Sequence, residues 1–409
     1  MSTAGIIVFA VTYVLISARR LRWLPLDRPA AALVGAVAVV LLGALPAAEA
    51  LAAINGATIL LLFGVMGMGA FLALDGFFDD AEAWLLRIAP TPQGLLGAIV
   101  WGSGALAAVI TNDAVCVLAA PLVVRLVQRQ GLPPLPYLLA LATAANTGSV
   151  ATLVGNPQNM LCGLLGGLSY GAHAALLGPV AVAGLAINHG LLAWLFRGSL
   201  RGMRLRPPAA MPPLRPRVWL TLSVLAGTVA AYTAGADLAW AATGGFAALL
   251  VLHRRDAALL WARIDWSILL FFAGLFVVVE GLVRTGLPAR VFAALPLLGA
   301  APGLGDLARG AGIFLLGSNV VSNVPFILVV RETMQGLPDP RLGWELLAMA
   351  STFAGNLTLL GSVANIIVAE RAREIGGIGF WAYFRVGLPL TLLTTAWGVL
   401  WLWWVYPGP

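Results

Sequence analysis

Residues 110–121 read ITNDAVCVLAAP and residues 145–162 read ANTGSVATLVGNPQNMLC. Both sit among long apolar runs, yet their centres hold Thr, Asn, Asp, Ser, Gly and Pro. A second version follows later in the chain. SNVPF at 322–326 echoes TNDAV at 111–115. TLLGSVAN at 358–365 echoes TLVGNPQN at 152–159, sharing Thr, Leu, Gly and Asn in register. A polar, helix-breaking pair of segments that occurs once in each half predicts a transporter site built by internal duplication.

Composition sets the class. Of 409 residues, 60% are hydrophobic and 10% charged, whereas soluble domains carry roughly 25% charged residues. Several apolar runs reach the roughly 20 residues that a helix needs to cross a bilayer. Lipid leaves no partner for unpaired backbone groups, and strand-like alternation is absent, so the spans are expected to be helical. The expected fold is an all-α polytopic membrane protein in the cell inner (plasma) membrane. All 24 basic residues are arginine, and the net charge is +7. Arginines in short loops set orientation in a membrane chain, and no nucleic-acid partner is implied. Cys116 and Cys162 lie in apolar segments and suggest neither a disulfide framework nor a metal cluster. Residues 4–18 run into Arg19, Arg20 and Arg22 without a small-residue cleavage site, so no cleavable signal is expected.

The first half is expected to span 1–196. Spans fall at 4–18, 30–48 and 56–75, followed by an interfacial helix within 76–93. A re-entrant hairpin covers 94–130 with Thr111, Asn112 and Asp113 at its tip. A discontinuous helix covers 136–167, broken around 148–159, and a span at 175–196 closes the half. The Arg- and Pro-rich stretch 197–217 is a cytoplasmic linker. The second half, 218–409, repeats the plan with spans at 218–234, 238–253 and 266–283. A hairpin at 306–333 carries its tip near Ser322 and Asn323, a broken helix covers 344–369, and a last span covers 380–404. Five crossings per half invert the second half relative to the first. All but five of the 24 arginines (Arg284, Arg290, Arg309, Arg331 and Arg341) fall on the cytoplasmic side of this scheme. Both termini are then expected outside, and the two hairpin tips meet near the midplane.

Half-helices at such tips and breaks expose unpaired N–H groups that attract anions. Asn112, Asn156, Asn159 and Asn323 add donors and acceptors without fixed charge. Carbonyls freed at the breaks, with Asp113, suit a cation such as Na⁺. The candidate cation ligands are Asn112, Asp113, Ser149, Asn323, Asn356 and Thr358. Asp113 is the sharpest of them, since a carboxylate inside a membrane is costly and tends to be functional. It reads as a coupling-ion ligand or proton carrier, with a structural cap as the alternative. Its counterpart at the second tip is Val324. Glu280 reads as an interfacial acid paired with Arg284 at i+4. Asp75 and Asp265 read as residues that terminate or cap spans, His189 as a packing histidine, and the cysteines as small apolar packing. No Walker motif, zinc spacing or nucleophile–base pair points to an enzyme or a bound cofactor.

These motifs, together with RIDWSILLFFAGLFVV at 263–278, resemble the ion transporter superfamily. The likeness is strongest to the arsenite permease and sodium–proton antiporter group and weaker to the divalent anion–sodium symporters. It implies an elevator-type secondary transporter, often a homodimer. Thr111, Asn112, Ser322 and Asn323, with Asn156, Pro157, Ser362 and Asn365, would then line substrate and cation sites. Dicarboxylate carriers show Ser-Asn-Thr at both tips and Thr-Pro-Pro-Asn in the first break. This chain has Thr-Asn-Asp, Ser-Asn-Val and Asn-Pro-Gln-Asn, which argues against a dicarboxylate. The expected function is transport of a small anion or oxyanion coupled to Na⁺ or H⁺. The alternatives are a Na⁺/H⁺ antiporter and an arsenite efflux permease.

Overall fold

The computed structural model describes residues 3–17, 26–206, 213–295, 297–299 and 301–406, and these are all-helical. Arg19, Arg20 and Arg22 of the first basic loop, and 207–212 of the linker, lie outside the described residues.

The chain opens with α1 (Thr3–Ser17), α2 (Arg28–Leu41) and α3 (Ala47–Ala53). The expected single span at 30–48 is therefore wrong. Gly43 takes a left-handed φ of +67° and Pro46 has no amide hydrogen to donate, so the helix stops and restarts. Then come α4 (Gly56–Leu74), amphipathic α5 (Phe77–Ile88), the pair α6 (Pro92–Ala107) and α7 (Asn112–Gln130), the interrupted pair α8 (Pro134–Ser149) and α9 (Pro157–Gly166), and long α10 (Tyr170–Leu195). After α11 (Arg197–Leu200), α12 (Pro216–Thr233), α13 (Leu238–His253) and α14 (Ala258–Trp261), the same order recurs. It runs α15 (Trp266–Val283), α16 (Leu287–Ala294), α17 (Leu304–Val321) with α18 (Asn323–Gln335), α19 (Pro340–Ala354) with α20 (Val363–Arg371), and α21 (Phe380–Val405). Proline starts several of these helices two to four residues before the expected boundary, because its fixed φ and missing N–H suit the first turn.

Four of these helices, α4, α10, α15 and α21, are long and apolar enough to cross a membrane. Packing is paired across the two halves. α4 lies on α13 and α15 lies on α2, while α7 meets α20 and α18 meets α9. Glycine permits the first two approaches. A Cβ on Gly64 would fall 2.5 Å from the Ala242 carbonyl carbon, and one on Gly274 would fall 2.8 Å from that of Ala32. Trp219, Trp240, Trp381 and Trp404 are exposed on the outside, as suits aromatic side chains against lipid and its headgroups.

Candidate functional site

The two breaks are closed by the same hydrogen-bond bracket. Asn159 Nδ2 donates to the carbonyls of Ser149 (3.1 Å) and Thr152 (3.0 Å). Asn365 Nδ2 donates to those of Gly355 (2.8 Å) and Thr358 (3.2 Å). Every partner is displaced along the chain by the same number of positions. Each asparagine also accepts from the helix before the opposite break: Asn159 Oδ1 from Thr352 Oγ1 at 2.9 Å, and Asn365 Oδ1 from Asn146 Nδ2 at 2.9 Å. Carbonyls released where a helix stops must find donors inside a membrane protein, and these amides supply them.

Asn146 is the hub. Its Nδ2 donates to Asn356 Oδ1 (3.1 Å) and Asn365 Oδ1, and its Oδ1 accepts from Asn112 Nδ2 (2.8 Å) and Ser362 Oγ (3.0 Å). All four bonds an amide can make are formed. They tie the first tip, the end of α19 and the start of α20 together. Asn356 in turn donates to Thr147 Oγ1, and Asn156 donates to Ser149 Oγ and Thr352 Oγ1. Asn156 Oδ1 also caps α9 through the Asn159 amide.

A cavity of about 70 Å³ lies where the two tips meet, and Asn112, Asp113, Ser322 and Asn323 all line it. Pro157 with Gln158 and Ser362 with Val363 complete a ring in which four helices, α7, α9, α18 and α20, present their N-terminal ends. Their partial positive charge favours an anion. The first two ends are capped by side chains, Thr111 on the Ala114 amide and Asn156 on the Asn159 amide. Neither Ser322 nor Ser362 caps the other two; at α20 the Asp113 carboxylate instead comes up against the first-turn Ala364 amide. Two oxygens face the opposite need. Asp113 Oδ1 and Asn323 Oδ1 are buried without a hydrogen-bond partner, one from each tip.

Of the expected substrate residues, Asn112, Pro157, Ser322, Asn323 and Ser362 line this cavity. Thr111 lines an adjoining cavity of about 260 Å³ together with Asp113, Arg263 and Asp265. Asn156, Asn159 and Asn365 are fully buried and spend their side chains inside the bracket. Of the cation candidates, Asn112, Asp113 and Asn323 come together, whereas Ser149 and Asn356 belong to the closed network. Thr358 lines a third cavity, also of about 260 Å³.

Sequence reading missed Asn146, although it stands inside the quoted motif, because helix α8 runs through it unbroken. Arg28 was missed as well, yet it lines the tip cavity from the start of α2. A fully buried pair was also missed, His173 Nδ1 to Glu345 Oε2 at 2.6 Å, with His173 Nε2 donating to the Val150 carbonyl at 3.2 Å. Glu280 pairs with Arg284 as expected, and also with Arg331 of α18 at 2.5 Å. His189 is a packing residue that accepts from Trp101 Nε1 at 3.4 Å. Asp265 caps α15. Asp75 does more than end α4: it is buried and accepts from Thr221 Oγ1 (2.6 Å), with His253 Nε2 at 3.0 Å.

The sequence profile of the CitMHS family, described as citrate transporters, matches residues 13–354, which takes in both tips and the first break. The chain belongs to this citrate transporter family. Among its relatives is the silicon efflux transporter LSI3 of Oryza sativa subsp. japonica, 30% identical over 97% of this chain and 96% of that protein. The putative transporter arsB of Dictyostelium discoideum is 24% identical over 96% of this chain and 91% of that one. In fold the chain is similar to the YdaH transporter of Alcanivorax borkumensis. The TM-score is 0.56 and the identity 16%, with 100% of this chain and 98% of that one covered. A citrate-transporter-family chain with this fold is a multi-pass membrane transporter, and the resemblance read from the motifs holds at the level of the superfamily.

Proposed function

We propose that this protein is a secondary active transporter of a small anion or oxyanion, coupled to Na⁺ or H⁺, that binds its substrate between the two hairpin tips. One observation carries the reading: four helix N-termini, two of them not capped by their own N-cap residue, face a single small cavity. N–H groups so arranged stabilise negative charge without a resident cation. A share of liquid volume of roughly 30 Å³ per water makes the cavity about the size of one small ion with little hydration. Asp113 Oδ1 and Asn323 Oδ1 are suited to the coupling cation, because buried oxygens lacking donors are costly unless a cation or proton meets them.

The repeated element order and the matched brackets support two inverted repeats, 1–196 and 218–409, joined by the 197–217 linker. In this reading α6–α7 and α17–α18 are the re-entrant hairpins. The tips and breaks form the moving body of an elevator against a scaffold that includes α2, α4, α13 and α15. The protein works as a homodimer in the inner membrane with both termini outside. No catalysis and no bound cofactor enter this scheme.

A second reading has its own support. The tip residues are amides and hydroxyls, which also suit a neutral polyhydroxylated acid, and one relative is named for silicon efflux. Arsenous acid, mostly uncharged at neutral pH, belongs to that class. The deciding experiment is a thermal-shift panel of phosphate, sulfate, carboxylates and arsenite with and without Na⁺ across pH, followed by uptake into proteoliposomes. Stabilisation by an anion that grows with Na⁺ or with acid supports the coupled carrier. Proton release triggered by Na⁺ alone in empty proteoliposomes makes the protein an antiporter, and single-channel currents overturn both.

A further inference from the structure

We propose that the cavity beside Arg28 is a second anion subsite, a vestibule that admits fully charged oxyanions to the tips and discriminates against neutral hydroxylated acids. This inference rests on the carrier reading above and narrows its substrate class. The vestibule holds about 260 Å³ and is lined by Arg28, Ser318, Asn319, Ser322 and Thr358, with no acidic side chain among its lining residues. It runs into the tip cavity, because Arg28, Ser322 and Gly361 line both. Ser318 is 1% exposed and its Oγ has no hydrogen-bond partner among the described residues, so a buried donor waits at the wall of this space.

The chemistry of the lining is specific. A guanidinium offers a planar fork of donors that matches two oxygens of a phosphate or carboxylate. The hydroxyls of Ser318, Ser322 and Thr358 can turn to donate to the remaining oxygens. A neutral acid of the arsenous type gains the hydroxyl contacts but none of the charge. Asp113 and Arg28 both line the tip cavity, where the charge of Arg28 acts on the Asp113 carboxylate, but Asp113 does not line the vestibule. The arginine therefore reaches both spaces, and the acid reaches the tip cavity and the cavity beside Arg263 and Asp265. The charge and the hydroxyls also come from different packing units. α2 packs on α1 and α15, while Ser318, Ser322 and Thr358 belong to the second hairpin and second break.

The test measures half-maximal thermal stabilisation of the full chain in detergent by phosphate, by citrate and by arsenous acid. Wild type is compared with Arg28→Gln, Arg28→Lys, Ser318→Ala and Asn112→Ala. Loss of a charge-assisted hydrogen bond is expected to weaken phosphate and citrate about tenfold in Arg28→Gln, with arsenous acid unchanged and Arg28→Lys falling between Arg28→Gln and wild type, because it keeps the charge but not the planar fork. Ser318→Ala is expected to weaken phosphate by about threefold. Unchanged phosphate binding in Arg28→Gln overturns the subsite while Asn112→Ala still reports on the tips. Equal loss of phosphate and arsenous acid in Arg28→Gln makes Arg28 a structural residue and also overturns it. Should Arg28→Gln not fold, unchanged phosphate binding in Ser318→Ala overturns it alone. A wild type stabilised only by arsenous acid, or by none of the three, removes the parent reading and the vestibule with it.

Discussion

The two hairpin tips share a cavity but are built differently. At the first, Thr111 caps α7, the Asn112 side chain is tied to Asn146, and Asp113 adds a carboxylate. At the second, Ser322 sits at φ +69° and ψ +152° without capping α18, Asn323 Oδ1 has no partner, and the third residue is Val324. The first tip is capped and carries a carboxylate, whereas the second is not capped by its serine and is neutral. Two copies of one motif would be equal, and in the proposed carrier the difference amounts to a division of labour. The first tip suits a cation or proton, and the second leaves N–H groups for an anion.

The largest effect should come from cutting the first tip loose. Asn146→Leu deletes four hydrogen bonds and takes the Asn146 partner from Asn112 Nδ2, Asn356 Oδ1, Asn365 Oδ1 and Ser362 Oγ, all buried. At roughly 1–3 kcal/mol for each buried polar group left without a partner, and with partial relaxation, about 3–5 kcal/mol of stability should be lost. Hydrogen exchange then tests the asymmetry. Residues 108–115 should lose protection well before 318–326, which have no bond to Asn146. Equal loss at both tips would erase the distinction drawn here.

Next in size is Asp113→Asn. It keeps the side-chain shape and removes the only carboxylate among the described residues that line the tip cavity. Losing a charged ligand is worth about 1.5–3 kcal/mol, so the Na⁺ or H⁺ dependence of substrate uptake should weaken tenfold or more. Equilibrium substrate binding at saturating salt should persist. The readout is uptake into proteoliposomes against Na⁺ concentration and pH. Substrate binding lost together with coupling would mean that the two tips are not divided in function. Thr111→Val and Ser322→Ala sharpen the same point. The first removes a helix cap, worth about 1 kcal/mol, and should lower the melting temperature. The second has no cap to lose and should leave stability within about 0.5 kcal/mol while slowing uptake.

Much of this architecture was legible because its signals are local. Gly155 and Pro157 inside an apolar run break a helix wherever it lies, and the echo of 152–159 in 358–365 exposed the second break. The span at 30–48 failed for a local reason too: one left-handed glycine and one proline outweighed a continuous apolar pattern. At the site, residues that end helices were found, as with Asn112, Ser322 and Asn323. Residues whose importance lies in distant partners were not. Asn146 bonds to side chains far along the chain from within an intact helix, and Arg28 reaches the tips only after α2 packs on α15. Periodicity and breaker residues report on the segment that contains them, and they carry no information about which side chains three-dimensional packing brings together. The same limit applies to Asn156 and Asn159, expected as substrate ligands, whose side chains hydrogen-bond across the first break to Ser149, Thr152 and Thr352.

A small expected effect of opposite sign is the most diagnostic for the second tip. Ser322 occupies a backbone region that glycine adopts freely and other residues enter at a cost of about 1–3 kcal/mol. A serine there gives up stability that glycine would keep, which is reasonable only if its hydroxyl or the fixed turn is used. Ser322→Gly should therefore raise stability, by about 0.5–1 kcal/mol once the greater freedom of glycine in the unfolded chain is subtracted. Uptake should slow, because the hydroxyl that faces both the tip cavity and the vestibule is gone. Melting temperature and initial uptake rate on the same preparation check both halves of the expectation. If Ser322→Gly is more stable and transports as fast as wild type, the serine has no part in the site, and the case for an anion-binding second tip rests on its backbone amides alone.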